Sequence, residues 1–150
     1  MSSARELALD LPATHGAVVL ARRVVRHFAR LGGVSAVGLE VLLLVSSELL
    51  ANAVDHGGGE GALEAETGAR MRMSLRLGED GWTFRVSDEG GGDPASVRKL
   101  IEPDGPPDLE DERGRGFFLV AQMVDRLDVA KSDDGRGLTF TAERAENADS

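Results

Sequence analysis

Residues 41–59, VLLLVSSELLANAVDHGGG, decide the fold of this chain. The stretch reads as a helix that is apolar on almost every side, and such a helix belongs in a protein core. Glu48 and Asn52 interrupt it, and their spacing of four places them one turn apart on the same face. Burying a polar group without a partner costs roughly 2–7 kcal/mol. The helix therefore needs partners for these side chains, either from the protein or from a ligand.

Length and composition favour one globular domain. The chain has 150 residues, a net charge of -9 and no cysteine. The acidic balance argues against direct nucleic-acid binding, and the lack of cysteine excludes disulfides and thiolate chemistry. The N-terminus lacks the apolar core of a signal peptide, and no apolar run reaches the roughly 18 residues of a membrane span. We therefore expect a single domain spanning residues 1–150, with its core at about 6–143, in the cytoplasm and without a membrane segment.

Hydrophobic periodicity predicts the other elements. Hairpin turns favour an antiparallel or mixed sheet, and strands with one apolar face need helices to cover that face. The expected fold class is α+β, a two-layer α/β sandwich with a mixed, mostly antiparallel sheet and helices on one face. Strands are predicted at 6–11, 71–77, 82–88, 126–131 and 138–143; helices are predicted at 13–31, from Ser35 or Val37 to 56, and at 114–123, with a short one possible at 95–101.

The alternation of one strand aims an acidic residue inward. Trp82, Phe84 and Val86 alternate with polar residues, and two residues further along the same face lies Asp88. An inward carboxylate can accept a hydrogen bond from an exocyclic amine such as that of adenine. The glycines that follow, Gly90 and Gly92, would let the backbone approach a flat ring closely. An ordinary turn at the end of a strand is the alternative.

The helix pair Glu48 and Asn52 suits phosphate chemistry. An amide oxygen is a hard neutral ligand that magnesium accepts beside phosphate oxygens and water. A carboxylate one turn away can accept a proton from a hydroxyl or a water that attacks the terminal phosphate. The alternative is a polar pair satisfied within the core. His56 ends this helix and could either line a site or cap the helix, whereas Asp55 is expected to be exposed.

A lid and a glycine-rich segment follow the strands. Residues 93–113 have little periodicity and several prolines and acids, which is typical of a mobile loop or lid. Gly114-Arg115-Gly116 then precedes an apolar helix, and backbone N–H groups at a helix N-terminus bind phosphate well. Arg113 or Arg115 could add positive charge there, although loop arginines are often simply solvated.

Together these motifs resemble the boxes of a known superfamily. SELLANAVDHG, VSDEGGG, a lid and ERGRGFFLV are similar, in order and spacing, to the N, G1 and G2 boxes of the GHKL ATP-binding superfamily. Within it, the chain most resembles the small bacterial anti-sigma-factor serine/threonine kinases, over roughly residues 6–143. The resemblance implies a Bergerat-type ATP-binding fold, in which a lid at about 93–113 covers ATP held between the two layers.

The resemblance also implies roles for individual residues. Asn52 would coordinate Mg²⁺, and Glu48 would be the base that activates the attacking hydroxyl. The family often has a threonine near the nucleotide in the last strand, and Thr139 alternates with its neighbours so that its direction stays open. The residues implied to bind the nucleotide are Asn52, Asp88, Gly90, Gly92, Gly114, Arg115, Gly116 and Phe117, with Gly114 and Gly116 against the phosphates.

By this resemblance, the expected function is that of an ATP-dependent serine/threonine protein kinase of the anti-sigma type. It would bind a sigma factor and phosphorylate a serine or threonine of an anti-sigma-factor antagonist, and it could form a homodimer. The alternative is a non-catalytic, ATP-dependent regulatory binding module. The arginines of the first helix, including Arg22, are either a solvated face or a contact surface for an acidic partner.

Overall fold

The computed structural model describes residues 5–56, 68–102, 105 and 110–146. Five strands and four helices are found in these ranges. The strands are β1 (Arg5–Pro12), β2 (Arg70–Leu77), β3 (Gly81–Ser87), β4 (Arg126–Lys131) and β5 (Leu138–Ala145), and the helices are α1 (His15–Leu31), α2 (Ala36–His56), α3 (Pro94–Ile101) and α4 (Glu112–Met123).

The strands form one sheet in the order β1-β2-β3-β5-β4. Every pairing between the described strands is antiparallel. Side chains alternate as the sequence predicts: Met73, Leu75 and Phe84 are buried on the inner face, whereas Arg72 and Arg85 on the outer face are exposed. The predicted α+β, two-layer fold is confirmed, and its described strands are antiparallel throughout.

Helix α1 has clear signals at both ends. The Thr14 hydroxyl accepts a hydrogen bond from the Ala17 N–H at 3.1 Å, which caps the N-terminus. Gly33 follows the last turn with φ +79, a conformation that glycine adopts without strain and that turns the chain toward α2. The buried stripe of α1 includes Val18 and Val25, and it packs against the core.

Helix α2 is the central element of the core. Its sequence is long and apolar enough to cross a membrane, with a mean hydropathy of 1.7, but 56% of that window is buried inside the protein. Leu42, Val45 and Leu49 are fully buried in the main hydrophobic cluster. The apolar surface of α2 is therefore explained by its position between the sheet and the neighbouring helices.

Part of the predicted lid is helical. Asp93 caps α3 by accepting the Ala95 N–H at 3.1 Å, and Pro94 occupies the first turn, where a missing N–H costs nothing. Val97 and Ile101 are buried, so α3 is packed onto the domain. The rest of the lid prediction falls partly on residues 103, 104 and 106–109, which lie outside the described residues, as do the predicted glycine stop at 57–59 and most of the connection at 60–70.

Helix α4 begins earlier than the sequence predicts. The Asp111 carboxylate accepts the N–H groups of Arg113 at 3.0 Å and Gly114 at 3.4 Å, and so caps a helix that starts at Glu112. Gly114 and Gly116 therefore lie inside the first turns of α4, and not in a loop before it. This difference of two residues decides which side chains reach the site.

Candidate functional site

A cleft of about 230 Å³ separates the end of α2 from the start of α4. One wall comes from α2 and the other from α4, and no other described element lines it. The lining residues are Glu48, Ala51, Asn52, Asp55 and His56 of α2, and Glu112, Arg113, Gly116 and Phe117 of α4.

Glu48 and Gly116 face each other across this cleft. A Cβ atom added at Gly116 would lie 2.6 Å from Oε2 of Glu48, so any other residue there would require the Glu48 carboxylate to move. Glu48 is partly exposed. Within the described part of the chain, no hydrogen bond or ion pair ends on its carboxylate. None of the described residues therefore competes with a substrate for the oxygen atoms of Glu48.

Asn52 is buried and bonded to a cation. Its Oδ1 accepts a hydrogen bond of 2.7 Å from Nε of Arg113. A guanidinium group only donates, so the amide must present its oxygen to this position. Its Nδ2 is buried and has no hydrogen-bond partner among the described residues. The amide oxygen thus points to a place where positive charge is accommodated.

The cap of α4 explains why Arg113 reaches Asn52. Once the helix starts at Glu112, Arg113 and Phe117 are four residues apart and share one face. The guanidinium carbon lies 5.6 Å from the centroid of the Phe117 ring, which is within cation–π range. Phe117 in turn stacks on Phe140 of β5, with centroids 5.4 Å apart. A continuous column therefore fixes Arg113 against the core.

Electrostatics link this column to two nearby groups. Burial lowers the pKa of Arg113, and the negative charges of Asp88 and Asp111 oppose that effect, so Asp88 is close enough to act on the guanidinium. Burial also lowers the pKa of His56, and the positive charge of Arg113 adds to this. Arginine stays charged at any physiological pH, so the cleft holds a fixed positive charge.

Asp88 is buried at the end of β3 and held by backbone donors. Its Oδ1 accepts the N–H of Gly90 at 3.0 Å and the N–H of Leu138 at 3.1 Å. Both hydrogen bonds of its carboxylate within the described structure end on this oxygen, and Oδ2 has no partner among the described residues. A Cβ atom at Gly137 would collide with the carbonyl oxygen and Oδ1 of Asp88, so this acid also has a glycine against it.

The structure does not bring all predicted residues into one cavity. Asp88 lies outside the lining of the α2–α4 cleft and borders a groove of about 420 Å³ that Arg72 and Ser87 of the outer sheet face also line. Gly90 is exposed, and Gly92 lies against the side chain of Leu138. Arg113, bonded to Asn52 and acted on by Asp88, is the residue that both halves of the predicted site share.

The remaining predicted residues divide between the two sides of α4. Phe117 and Gly116 line the cleft, and Gly114 is buried with its N–H bonded to Asp111. Arg115 is exposed and is not part of the cleft lining. For Asp55 the prediction of exposure agrees with the structure, which also pairs Asp55 Oδ1 with His15 Nε2 at 3.1 Å.

The pairing of β3 with β5 shows the direction of the Thr139 side chain. Thr139 shares a hydrogen bond of 2.8 Å with the hydroxyl of Ser87, and both side chains lie on the outer face of the sheet. Leu138 instead points inward and belongs to the core cluster. The hydroxyl of Thr139 is therefore directed away from the space between the layers.

Sequence reasoning missed three contributors: Arg113 as the partner of Asn52, Asp111 as the cap, and Gly137 beside Asp88. The first two had a readable signal, because an aspartate directly before Glu-Arg-Gly is a typical N-cap and starts the helix at Glu112. Gly137 had none, since its importance depends on a pairing between strands that are distant in sequence.

The donor set limits which metal the cleft could hold. No group of three or more His, Cys, Asp or Glu residues that could bind a metal is present among the described residues. A metal at Asn52 would therefore take most of its ligands from phosphate oxygens and water, as Mg²⁺ does in nucleotide sites. The amide oxygen of Asn52 already faces a cation, so the residues present fit a magnesium ion that arrives with a nucleotide.

Comparison with known proteins shows the family of this chain. Residues 11–142 match the family described as "Histidine kinase-like ATPase domain". The chain is 29% identical over 142 residues to the serine-protein kinase RsbW of Listeria monocytogenes serovar 1/2a, which covers 91% of this chain and 85% of that protein.

Solved structures share the fold at lower identity. The SiaB–SiaC complex from Pseudomonas aeruginosa matches with a TM-score of 0.67 and 16% identity, over 93% of this chain and 89% of that one. The RsbU and RsbW domains of a Mycobacterium tuberculosis protein match with a TM-score of 0.60 and 19% identity, over 96% of this chain but 34% of that one. The chain therefore belongs to the family of histidine kinase-like ATPase domains, and its likeness within them is to the anti-sigma-factor kinases, as its sequence predicts.

Proposed function

We propose that this protein is an ATP-dependent serine/threonine kinase of the anti-sigma type, which binds a sigma factor and phosphorylates a serine or threonine of an anti-sigma-factor antagonist. One observation carries the proposal. Glu48 and Asn52 lie on the same wall of a cleft, and the opposite wall at Gly116 has no side chain to block them. The serine-protein kinase RsbW, at 29% identity, supports the same activity.

Glu48 is the proposed base. A serine or threonine hydroxyl of the partner enters the cleft, its oxygen bonds to the γ-phosphorus, and the bond to the leaving ADP oxygen breaks. The hydroxyl proton passes to the Glu48 carboxylate, for which no described residue competes. A magnesium ion held by Asn52 Oδ1 and the phosphates would neutralise the charge on the transferring group.

The nucleotide contacts follow from the same arrangement. Asp88 offers Oδ2 to the adenine amine, with Gly90 and Gly92 beside the ring, because Oδ1 is already committed to backbone N–H groups. The phosphates are proposed to lie at the start of α4, at Gly114, Arg115 and Gly116, with Phe117 lining the cleft. The Arg115 N–H already donates to the Asp111 carbonyl at 2.8 Å, so the backbone donors for phosphate are the N–H groups of Arg113 and Gly114, which the Asp111 carboxylate accepts in this structure.

A Glu48→Gln variant separates binding from transfer. The amide keeps the size of the carboxylate and cannot take up the proton, so we expect ATP affinity within about twofold of the parent and transfer reduced by roughly 10²–10⁴-fold. Affinity is measured by calorimetry, and transfer by labelled phosphate on candidate antagonist proteins. Glu40→Gln, an exposed glutamate of the same helix, is the matched control and should change neither.

Three outcomes would contradict parts of this proposal. Transfer by Glu48→Gln at the parental rate would reject Glu48 as the base. ATP binding by the parent without transfer to any candidate would favour the regulatory module over the kinase. A folded parent protein that ignores adenine nucleotides at millimolar concentration would reject both.

The partner surface is proposed to be α1. Arg23 and Arg30 are exposed there beside Val19 and Leu20, which are 54% and 55% exposed, so the helix presents a basic and partly apolar surface. Arg22 is only partly exposed. We propose that this surface contacts an acidic partner protein in the cytoplasm, where ATP is available. Charge reversal at Arg23 should weaken sigma-factor capture without changing ATP affinity.

A further inference from the structure

We propose that Arg113 is a built-in cation that occupies Asn52 in the nucleotide-free protein and must leave before a metal nucleotide can bind. Arg113 would thereby set the apparent affinity of the site for that nucleotide. The proposal rests on the proposed function, because it assumes that the ligand is Mg²⁺ with an adenine nucleotide. It adds a residue that controls access to the site, beyond the residues that perform transfer.

Arg113 and a metal ion would compete for one atom, Oδ1 of Asn52. The hydrogen bond from Arg113 Nε to Asn52 Oδ1 is 2.7 Å long, which is in the range of charge-assisted bonds. Asn52 is buried, so a metal ion bound to its amide oxygen would lie directly beside the guanidinium. The two cations would also repel each other across a few ångströms with little water between them. Occupation by Arg113 and by a metal are therefore mutually exclusive.

The N-terminus of α4 also holds an anion, the carboxylate of Asp111. The Asp111 carboxylate accepts the N–H groups of Arg113 and Gly114, which are donors that a phosphate would use at the start of α4. Residues 111–113 thus present a carboxylate to the helix N-terminus and a guanidinium to the amide. The segment thus places a negative charge at the helix N-terminus and a positive charge at the Asn52 amide. A bound phosphate and its metal ion would place their charges at the same two positions.

Neighbouring groups hold Arg113 in this position. Its guanidinium lies over Phe117 at 5.6 Å, and Phe117 is stacked on Phe140. The negative charge of Asp88 also acts favourably on it. A side chain held by an aromatic face, an amide oxygen and a nearby carboxylate has a defined bound state, and leaving that state carries a cost that nucleotide binding must overcome.

The test replaces the cation and keeps the hydrophobic stem. Arg113→Met can still cover Phe117 but cannot bond to Asn52. We expect its apparent dissociation constant for MgADP, measured by calorimetry on the full chain, to fall by roughly tenfold, since a bond to a charged group no longer competes. Arg76→Met is the control, because Arg76 is an exposed arginine of β2 outside the cleft lining, and its affinity should not change.

A kinetic measurement on the parent protein covers the case in which Arg113→Met does not fold. If Arg113 must leave first, the observed association rate in stopped-flow experiments reaches a plateau as MgADP is raised. A rate that stays linear in MgADP up to the diffusion-limited range would overturn the proposal. In a folded Arg113→Met the plateau should rise or disappear.

The affinity of Arg113→Met also decides between roles. Equal affinity to the parent would mean that Arg113 only rests in the cleft, and weaker affinity would mean that it binds the phosphates; either result overturns the proposal and leaves the proposed kinase function intact. If neither protein binds MgADP, the proposed function itself fails, and the inference fails with it.

Discussion

At the scale of single residues, two acidic side chains have the same kind of neighbour. Glu48 lies against Gly116, and Asp88 lies against Gly137, so each carboxylate occupies space that a side chain would otherwise fill. Gly116 was predicted to hold phosphate because of its place before a helix. The structure gives it another role that does not depend on phosphate, which is to admit the carboxylate of Glu48.

The charge of Arg113 should be measurable at His56. Burial and the positive charge of Arg113 both lower the pKa of His56, while Asp55, Asp111 and Glu112 raise it. Removing the charge in Arg113→Met should raise the pKa of His56 above its value in the parent protein. The imidazole resonances in an NMR titration report this directly.

The sign of the accompanying stability change follows from linkage. The folded protein protonates His56 at lower pH than the unfolded chain, so this histidine costs no stability above pH 6.5 and destabilises the fold as pH falls from there through its folded pKa. Arg113→Met should lose less stability than the parent protein as the pH falls below 6.5, and Arg115→Met should lose as much as the parent. If the pKa of His56 is the same in Arg113→Met as in the parent protein, the Arg113 guanidinium does not lie near His56 in solution.

Residue-level prediction succeeded where periodicity alone decides. The spacing of Glu48 and Asn52 predicts one helix face, and both side chains line the α2–α4 cleft. Strand alternation predicts that Asp88 points inward; the side chain is buried, but it borders the groove that residues of the outer sheet face also line. It could not choose between Arg113 and Arg115, because that choice depends on where α4 starts. The Asp111 cap shifts the start by two residues and so turns Arg113 into the cleft.

At the scale of elements, the junction of β3 and β5 holds the acid proposed to read adenine. Asp88 follows β3, and its Oδ1 is bonded to the N–H of Leu138 at the start of β5. The backbone N–H of Asp88 also donates to the carbonyl of Leu138 at 3.0 Å. The position of Asp88 is therefore a property of the strand pair, and not of β3 alone.

Gly137→Ala should break this junction. The new Cβ would collide with the Asp88 backbone, which cannot move aside as a flexible side chain would. We expect a loss of roughly 2–4 kcal/mol in the free energy of unfolding, measured with urea, as for other overpacked buried sites. The fraction that stays folded should bind adenine nucleotides more weakly.

Gly135→Ala in the same turn is the control for that change. Gly135 has φ +73 and nothing within 4 Å of an added Cβ, so alanine there meets backbone strain without a clash. The expected cost is roughly 1 kcal/mol. Equal losses in the two variants would mean that the turn, and not contact with Asp88, limits substitution at Gly137.

Strand existence was predictable, but strand adjacency was not. Alternation and turn residues identified all five strands and the hairpins β2–β3 and β4–β5. The pairing of β3 with β5 joins segments separated by α3 and α4, and several sheet orders would satisfy the same pattern. The direction of Thr139 depends on this register, since its partner opposite is Ser87, which is why sequence left it open.

At the scale of the whole molecule, α2 serves as both core and cleft wall. Its buried leucines hold the layers together, while its last turns present Glu48, Asn52 and His56 to α4. A helix of 21 residues is about 30 Å long, so its two ends are in different surroundings. The end near His56 belongs to the site, and the beginning belongs to a separate set of contacts.

Glu146 anchors that beginning to the end of the sheet. Its carboxylate accepts the Ser35 hydroxyl at 2.9 Å, and the same hydroxyl accepts the Gly38 N–H at 3.0 Å, so an acid from beyond β5 reinforces the N-cap of α2. Arg144 pairs with Glu146 at 3.3 Å, and the Glu146 side chain is only 15% exposed. Its backbone N–H donates to the Asp80 carbonyl at 2.8 Å.

Glu146→Ala should therefore destabilise the fold and spare the site. Removing the carboxylate takes away the acceptor of the Ser35 hydroxyl and the ion-pair partner of Arg144 Nη1, both partly shielded from water. We expect a loss of roughly 1–3 kcal/mol in urea unfolding. Ser35→Ala should be less than additive with it in a double-mutant cycle, because the two side chains form one bond. Glu143→Ala, also near the C-terminal end of the sheet, controls for loss of an acid and should stay within about 0.5 kcal/mol.

The affinity for MgADP distinguishes anchoring from a role in the site. Because Ser35 and Glu146 act at the first turn of α2 and the cleft lies at its last turns, the folded Glu146→Ala protein should bind MgADP as the parent does. A weaker affinity at a temperature where the variant is fully folded would mean that the start of α2 and the cleft are coupled through the helix. Glu146 and the cleft would then be coupled through α2. This coupling is physically reasonable, because α2 is packed against the core along its length.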